Sequence, residues 1–235
     1  MAGHNGGGHR QTDAEPAPAI TFDGTAITTT SDAVTVDGST ATITQEGTYL
    51  LSGTLTDGTP LIDAPDTAKI QLVLDGVTLH SESYAPIDIR EADKVFLTLA
   101  PGSENTLSNS GTYTQQDDHN VDAPLFCRSD LTLNGTGSLT VESPGGHGVV
   151  CKDDLVVTGG TYTVTAASHG LSANDSVRIG GGTFTVTAGE FSTSFTLEDI
   201  TYSSASGGAM GQPGGNTGGG PGGTPPDSAS GGTMP

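Results

Sequence analysis

The chain lacks tryptophan, has few basic residues and has no long hydrophobic run, and each absence excludes a class of protein. Only 7 of its 235 residues are lysine or arginine, against 27 aspartates and glutamates, for a formal net charge of −20. We therefore expect no nucleic-acid partner, since phosphate binding requires basic side chains. We expect no membrane insertion, because no run of about 20 apolar residues predicts a transmembrane helix. The first 19 residues have no apolar centre typical of a secretion signal, so either a signal has been removed or the protein is cytosolic.

What the chain has in abundance favours β-structure. It contains 36 glycines, and only 14% of its residues are charged. Threonine, serine and valine supply much of the rest, which is typical of short strands joined by many turns. The most informative feature is a 22-residue tandem repeat: residues 147–168 and 169–190 align without a gap and share 10 of 22 positions. A repeat this short cannot enclose a core of its own, so neighbouring repeats must stack on each other.

Weaker copies of this repeat precede the two clean ones. In each copy, Pro or Gly followed by apolar residues begins a first strand, and an alternating second strand follows; a third strand is clearest in the last three copies. The second strands begin at Ile70, Val95, Leu131, Leu155 and Val177, which are 25, 36, 24 and 22 residues apart. The spacing of 36 indicates an insertion around residues 111–121. Three strands per 22–25 residues predict an all-β fold, a right-handed parallel β-helix of about five coils.

Stacked coils place equivalent side chains in columns, because parallel strands lie about 4.8 Å apart. One predicted internal column contains Leu61, Ile87, Leu125, Val149 and Leu171. A second internal column contains Ile70, Val95, Leu131, Leu155 and Val177. Thr140, Thr163 and Thr185 alternate with inward residues and are expected on an outer face.

The domain organisation follows from where this pattern begins and ends. We expect residues 1–17 to be a flexible lead-in and residues 18–202 to form the β-helix domain. Residues 203–235 hold 12 glycines and 5 prolines and are expected to be a disordered tail. Residues 20–58 are interpreted as a first coil or an N-terminal cap over bare strand edges. At the other end, residues 191–197 depart from the repeat, and they either cover the last coil or mark a truncation.

Several runs in this chain resemble a known family. They are GTYLLSGTLTDG (47–58), LVLDGVTL (72–79), TLAPGSENTL (98–107), SDLTLNGTGSLTV (129–141) and KDDLVVTGGTYTVTA (152–166). They look like the carbohydrate-binding domain family of secreted clostridial and gut-bacterial β-helix proteins. The resemblance covers about residues 20–190.

The resemblance implies a polysaccharide-lyase-like β-helix, similar to pectate lyase, that binds calcium, cellulose and acidic sugars such as pectin. It also implies an extracellular or cell-surface location and no established catalysis. The chain departs from the family in having His147 and His169 where Asp often precedes Gly. Family members also usually continue for further coils and begin with a secretion signal.

Acidic side chains repeat at the corner before the second strand and form the first candidate site. Alignment stacks Ser129, Asp153 and Asp175 in one column, and Asp130, Asp154 and Ser176 in the next. Carboxylates one rung apart repel each other unless a cation or a hydrogen bond offsets their charge, and calcium prefers such oxygen ligands. The alternative is that each aspartate caps its own turn.

The insertion carries a second acidic candidate, with Asp117, Asp118 and Asp122 beside Gln115, Gln116 and Asn120. Dense oxygen ligands in a loop suit calcium, although the spacing is not that of an EF-hand. A solvated acidic loop is the alternative. The predicted calcium ligands are thus Asp117, Asp118, Asp122, Asp130, Asp153, Asp154 and Asp175.

A column of basic residues forms the predicted substrate site. Arg90, Arg128 and Lys152 share one position, and Asn174 replaces them in the last coil. They are able to pair with sugar carboxylates, or else they neutralise the neighbouring aspartates.

Two further stacked pairs carry possible chemistry. His147 and His169 are either a transition-metal pair or turn residues. Cys127 and Cys151 are either buried thiols or a disulfide between coils.

These observations predict a monomeric, noncatalytic protein that binds cell-wall polysaccharide with the help of calcium. The chain has no tryptophan, and its 5 tyrosines do not form an obvious platform for sugar rings. Cations are expected to bridge the acidic protein to an acidic glycan. One alternative is a lyase of uronate polymers that uses Lys152 or Arg128 as its base. Another is a structural or adhesive spacer, although exposed threonines do not form a Thr-x-Thr grid on every coil.

Overall fold

Strands joined by turns and short loops make up the described structure, as the composition predicts. The computed structural model describes residues 17–116 and 118–190 and the backbone of 196–197, and these residues contain no helix. Consistently, no helix long and apolar enough to cross a membrane occurs in this part of the chain.

The strands follow one another through short turns. The first ten are β1 (Ala19–Gly24), β2 (Ala26–Thr29), β3 (Val34–Asp37), β4 (Thr40–Ile43), β5 (Gly47–Leu55), β6 (Thr59–Asp63), β7 (Lys69–Ser81), β8 (Ile87–Glu91), β9 (Lys94–Leu99) and β10 (Glu104–Asn109). The next ten are β11 (Leu125–Cys127), β12 (Asp130–Gly135), β13 (Ser138–Ser143), β14 (Val149–Cys151), β15 (Leu155–Val157), β16 (Thr161–His169), β17 (Leu171–Ala173), β18 (Val177–Ile179), β19 (Thr183–Glu190) and β20 (Thr196–Leu197).

The described strands form two sheets whose pairing is parallel from repeat to repeat. A 7-stranded sheet has the order β17-β14-β11-β8-β6-β4-β3. The path through a 13-stranded sheet runs β19-β16-β13-β10-β7-β9-β12-β15-β18-β20, with β1, β2 and β5 beside it. The long strand β7 pairs with β9 along one part and with β10 along another. Each clean repeat therefore adds one strand to the first sheet and two strands to the second.

The register confirms most of the predicted internal columns. Ile87, Leu125, Val149 and Leu171 pair in sequence along the 7-stranded sheet. The second column, from Ile70 to Val177, is paired without interruption. The placement of Leu61 in the first column is wrong, because Leu61 pairs with Asp88 and it is Ile62, paired with Ile89, that joins the main core. A shift of one residue moves a side chain to the opposite face of a sheet.

The predicted outer threonines lie on the solvent side, and their column is longer than the clean repeats indicate. Thr140, Thr163 and Thr185 pair in sequence. Thr106, Thr78 and Thr54 continue the same register position on the preceding strands. The column two residues further along is mixed, with His80, Ser108, Glu142, Thr165 and Thr187.

The N-terminal segment adds antiparallel hairpins to both sheets. Strands β1 and β2 form one hairpin and β3 and β4 form the other. Strand β1 pairs in parallel with β5, and β4 with β6. Ile20, Phe22 and Ile43 contribute buried side chains to the main core. The predicted lead-in (1–17, apart from residue 17), the C-terminal segment 191–195 and the predicted tail lie outside the described residues.

A second, smaller apolar cluster lies on the other face of the 7-stranded sheet. Phe126 and Val150 alternate with the inward residues Leu125 and Cys127, so they point away from the main core. The cluster consists of Tyr84, Ala85, Val121, Ala123, Phe126 and Val150, with Tyr113 packed against it. The insertion predicted around residues 111–121 therefore packs back onto this sheet.

Cys127 and Cys151 are free thiols buried in the main core. Both sulfur atoms donate to the Ser129 carbonyl oxygen, over 3.0 and 3.2 Å. Burial raises the pKa of the Cys127 thiol well above its ordinary value, because a thiolate is poorly solvated in an apolar interior.

We expect both thiols to be unreactive in the folded protein. A thiol reagent added at pH 8 should label neither cysteine until denaturant is added, and then should label both. The thiolate is the reactive form; burial disfavours it at Cys127, and a reagent has no access to either sulfur atom because both residues are fully buried. Rapid labelling of the native protein, or a mass 2 Da below that of the dithiol, would contradict the buried-thiol arrangement.

Gly135 ends β12 where the backbone of the preceding repeat approaches closely. Its φ is +101°, and a Cβ at this position would overlap the backbone of Leu99. Gly102 has a φ of +73° but no atom within 4 Å of the equivalent Cβ position. Gly102→Ala should cost about 1–2 kcal/mol of unfolding free energy from the left-handed conformation alone. Gly135→Ala should cost more than about 3 kcal/mol.

Urea unfolding of the two variants measures this difference. Equal destabilisation would show that the close approach of Gly135 to Leu99 does not constrain the stacking of the repeats.

Candidate functional site

The candidate acidic and basic residues meet at one corner between the two sheets. Residues 128–129, 152–154 and 174–176 connect each strand of the 7-stranded sheet to the next strand of the 13-stranded sheet. The strands on both sides are paired in register, for example Cys127 with Cys151 and Leu131 with Leu155. The turns must therefore stack, and equivalent side chains lie one above another as predicted.

Two of the predicted calcium ligands at this corner already have partners. Asp130 lies 3.0 Å from the ammonium nitrogen of Lys94. Asp154 accepts a hydrogen bond from the Ser176 hydroxyl at 2.5 Å and another from the Arg178 guanidinium at 2.8 Å. The Ser176 hydrogen bond, with the charge of Arg178, lowers the pKa of Asp154.

The pair Asp153 and Asp175 is different, because carboxylates surround it. Partial burial raises the pKa of Asp153, and the charges of Asp130 and Asp175 raise it further. A hydrogen bond to Asp175 acts in the same direction. Two neighbouring carboxylates are accommodated by sharing a proton or by binding a cation.

The fit of calcium to this corner depends on ligands other than side chains. Within residues 17–116 and 118–190, no group of three or more His, Cys, Asp and Glu side chains is arranged to hold a metal ion. Calcium takes six to eight oxygen ligands. Asp153 and Asp175 have the right chemistry, but backbone carbonyls, water or a bound molecule would have to complete the shell.

The basic column lies on the outer side of the 7-stranded sheet, beside the acidic corner. Arg90 donates from Nε to Asp88 at 3.0 Å and from its terminal nitrogen to Gln116 at 3.1 Å. The Tyr84 hydroxyl donates to the same Asp88 oxygen at 2.9 Å. Burial raises the pKa of Asp88, while the bonds from Tyr84 and Arg90 lower it. Arg90 therefore links the insertion to the sheet.

Arg128 and Lys152 occupy the next two positions of the column. The charge of Arg128 also lowers the pKa of Asp88. The Lys152 ammonium nitrogen lies 5.3 Å from the centroid of the Phe126 ring, within the range of a cation–π interaction. Lys152 is half-buried and directly precedes Asp153. Lys152 thus belongs to the same turn as Asp153, one member of the acidic pair.

The acidic insertion is only partly accounted for. Asp117 lies outside the described residues, and Asp118 is exposed. Asp122 accepts a hydrogen bond from the Asn120 side chain at 2.7 Å and lies 3.7 Å from Nε2 of His147. Gln115 closes the loop through two hydrogen bonds to the Val121 backbone, at 2.8 and 2.9 Å.

A shallow depression that the sequence did not predict lies on the outer face of the 13-stranded sheet. Its volume is about 480 Å³, and Thr48, Lys69, Gln71 and Phe96 contribute to its lining. Gln71 accepts a hydrogen bond from Thr48 and donates one to Thr98. The register pairs Gln71 with Phe96, and alternation from the buried Val95 and Leu97 would have indicated that Phe96 faces outward.

Comparisons with known proteins agree with this arrangement of strands. A solved structure described as the polysaccharide lyase-like protein from C. thermocellum, a gadolinium derivative, superposes with a TM-score of 0.66 and 25% sequence identity. The match covers 82% of this chain and 98% of that one.

Sequence comparison gives a closer relationship. A carbohydrate-binding domain-containing protein of Acetivibrio thermocellus is 38% identical over 150 residues, or 63% of this chain and 52% of the relative. The chain thus spans about half the length of this curated relative. The family model described as carbohydrate-binding domain-containing protein matches residues 37–207, well over half of the 235 residues. The chain therefore belongs to the carbohydrate-binding domain-containing protein family.

Proposed function

We propose that the protein binds an acidic polysaccharide, with calcium as a bridge, at the corner formed by Asp153, Asp175, Arg128 and Lys152. Membership of the carbohydrate-binding family supports polysaccharide binding in general. The description of the structural neighbour as polysaccharide lyase-like supports it as well. The observation that carries the proposal is the carboxylate pair Asp153 and Asp175, in which Asp153 directly follows Lys152 in the chain.

The proposal includes the fold in its finer form, a right-handed parallel β-helix. Each clean repeat adds one strand to the 7-stranded sheet and two to the 13-stranded sheet, always in register. One apolar core contains inward residues from both sheets. Stacked coils of three strands each account for these facts together. The aligned corners of successive coils provide a continuous surface along which an extended glycan chain is able to lie.

Charge explains why calcium and an acidic sugar belong together. A protein of net charge −20 repels a polyuronate, and a divalent cation removes this barrier. Calcium at Asp153 and Asp175 would use one uronate carboxylate as a ligand, while Lys152 or Arg128 pairs with that carboxylate or the next one. Because two side chains give an incomplete shell, calcium affinity should be weak without the glycan and stronger with it.

The location and the absence of catalysis are also proposed. A partner that occurs in plant cell walls implies an extracellular or cell-surface protein that works as a monomer. Cellulose is a second candidate ligand, for which the depression beside Phe96 offers a half-buried phenylalanine ring on the described outer sheet face.

The direct test is sedimentation of the protein with insoluble polygalacturonate and with cellulose, in calcium or in excess chelator. We expect binding to polygalacturonate in calcium and its loss in chelator. Equal binding under both conditions would remove calcium from the proposal, and binding to neither glycan would remove the proposal itself.

A paired substitution tests the corner. Asp153 has a raised folded-state pKa, so its ionisation lowers stability as pH rises from about 3.9, its unfolded value. Asp153→Asn should therefore unfold at equal or higher urea at pH 7 in chelator, and it should lose calcium-dependent glycan binding.

Asp154→Asn is the matched control. The pKa of Asp154 is lowered in the folded protein, so the ionised carboxylate stabilises the fold at neutral pH. This stabilisation is lost as the pH falls through the folded-state pKa. This variant should be less stable at pH 7 but should keep glycan binding. Greater destabilisation by Asp153→Asn than by Asp154→Asn would contradict the assignment.

A lyase would use Lys152 or Arg128 as the base beside the calcium-bound uronate, and the description of the structural neighbour favours testing this. We expect no unsaturated product, measured by its ultraviolet absorbance, from polygalacturonate in calcium. Sustained product formation that Lys152→Ala abolishes would establish the enzyme instead.

A further inference from the structure

His147 and His169 occupy the same position in successive repeats, at a corner distinct from the acidic one. The backbone fixes them there, because the Gly148 amide donates to the His169 carbonyl at 2.9 Å and the His147 amide donates to the backbone carbonyl of Asp122 at 2.8 Å. The two Nδ1 atoms lie 3.1 Å apart, with ring centroids separated by 4.9 Å and ring planes 14° apart. These rings are stacked, and a hydrogen bond between the Nδ1 atoms brings the two imidazole nitrogens together at one point of this corner.

Hydrogen bonds define which nitrogen of His147 carries a lone pair toward this point. The backbone amide of His169 donates to Nδ1 of His147 at 3.2 Å, so this nitrogen is an acceptor and the ring proton is on Nε2. Nε2 faces the Asp122 carboxylate, at 3.7 Å from Oδ2. Among the described residues, the other Asp122 oxygen, Oδ1, is buried and has no hydrogen-bond partner.

We propose that His147 and His169 bind one divalent transition-metal ion, of the zinc and copper class, through their Nδ1 atoms. With metal–nitrogen bonds of about 2.0–2.1 Å, two ligands of a tetrahedral ion lie about 3.3 Å apart. The observed 3.1 Å is close to this value. The stacked rings must turn until both in-plane lone pairs point at the ion, which replaces the proton shared by the two Nδ1 atoms. Imidazole prefers zinc, copper and nickel to calcium, which separates this site from the acidic corner.

Asp122 is placed as the orienting partner of such a site, and its carboxylate must approach from 3.7 Å to accept a hydrogen bond from Nε2 of His147. Metal-binding histidines usually donate their second ring N–H to a carboxylate, which fixes the ring and makes the other nitrogen a better ligand. Asn120 positions Asp122 by donating to Oδ2 at 2.7 Å. The metal displaces the His169 amide from Nδ1 of His147, and because both imidazoles are only half-buried, water is able to reach the ion and the amide. Water completes the coordination.

The experiment is a titration of the full chain with Cu²⁺ or Zn²⁺, followed by calorimetry, and by electron paramagnetic resonance for Cu²⁺. We expect one ion per chain above background and a copper spectrum with two nitrogen ligands. His147→Ala and His169→Ala should each weaken this binding at least about tenfold, and Asp122→Asn should weaken it by roughly tenfold.

His80→Ala is the matched control, because His80 is a similarly half-buried imidazole that contacts Ser108, Ser110 and Glu82. It should leave binding unchanged. Circular dichroism checks folding, and His147→Gln and His169→Gln provide milder variants. Stoichiometric binding that survives the double substitution His147→Gln and His169→Gln would assign the ion to His4, His9 or His119 and overturn the proposal. Absence of stoichiometric binding in the wild type would also overturn it.

Discussion

The register of parallel backbone pairing between successive repeats is the constraint on which the rest of this structure depends. It fixes which side chains enter the core, since Leu155 must meet Val177 and Tyr162 must meet Phe184. It also fixes which side chains the turns expose, because a turn between two strands that are paired in register cannot shift relative to the neighbouring turn. The close backbone approach at Gly135 has the same origin. Core, corner and outer faces are therefore set by one pattern of hydrogen bonds.

Stacking has an electrostatic consequence at the acidic corner. Side chains repeated one strand spacing apart, about 4.8 Å, place like charges together, and each must be offset. Lys94 offsets Asp130, and Ser176 and Arg178 offset Asp154. Asp153 and Asp175 remain as a pair whose repulsion a cation would relieve. The chain thus supplies local partners for some carboxylates and leaves one pair next to Lys152, where an anionic ligand is able to share a calcium ion.

The parts of the fold that the sequence predicted are those in which the repeat is regular. The columns from Ile70 to Val177 and from Ile87 to Leu171 follow from spacing and alternation alone. Leu61 did not follow, because a local shift between β6 and β8 changes the face of a strand without changing its composition. Arg90 could be placed in its column, but its bonds to Asp88 and Gln116 depend on how the insertion packs back onto the sheet, which no repeat encodes. Lys94 and Arg178 were overlooked, although each lies one residue from an inward member of an internal column.

The proposed function requires that calcium lies between Asp153 and Asp175 and that a sugar carboxylate completes its coordination shell. The most direct measurement is an anomalous-scattering map from a crystal soaked with calcium and oligogalacturonate. The account predicts a calcium peak within coordination distance of both carboxylates, with a uronate oxygen among its ligands. Sugar bound with no peak between Asp153 and Asp175, or a calcium peak only elsewhere, would contradict it.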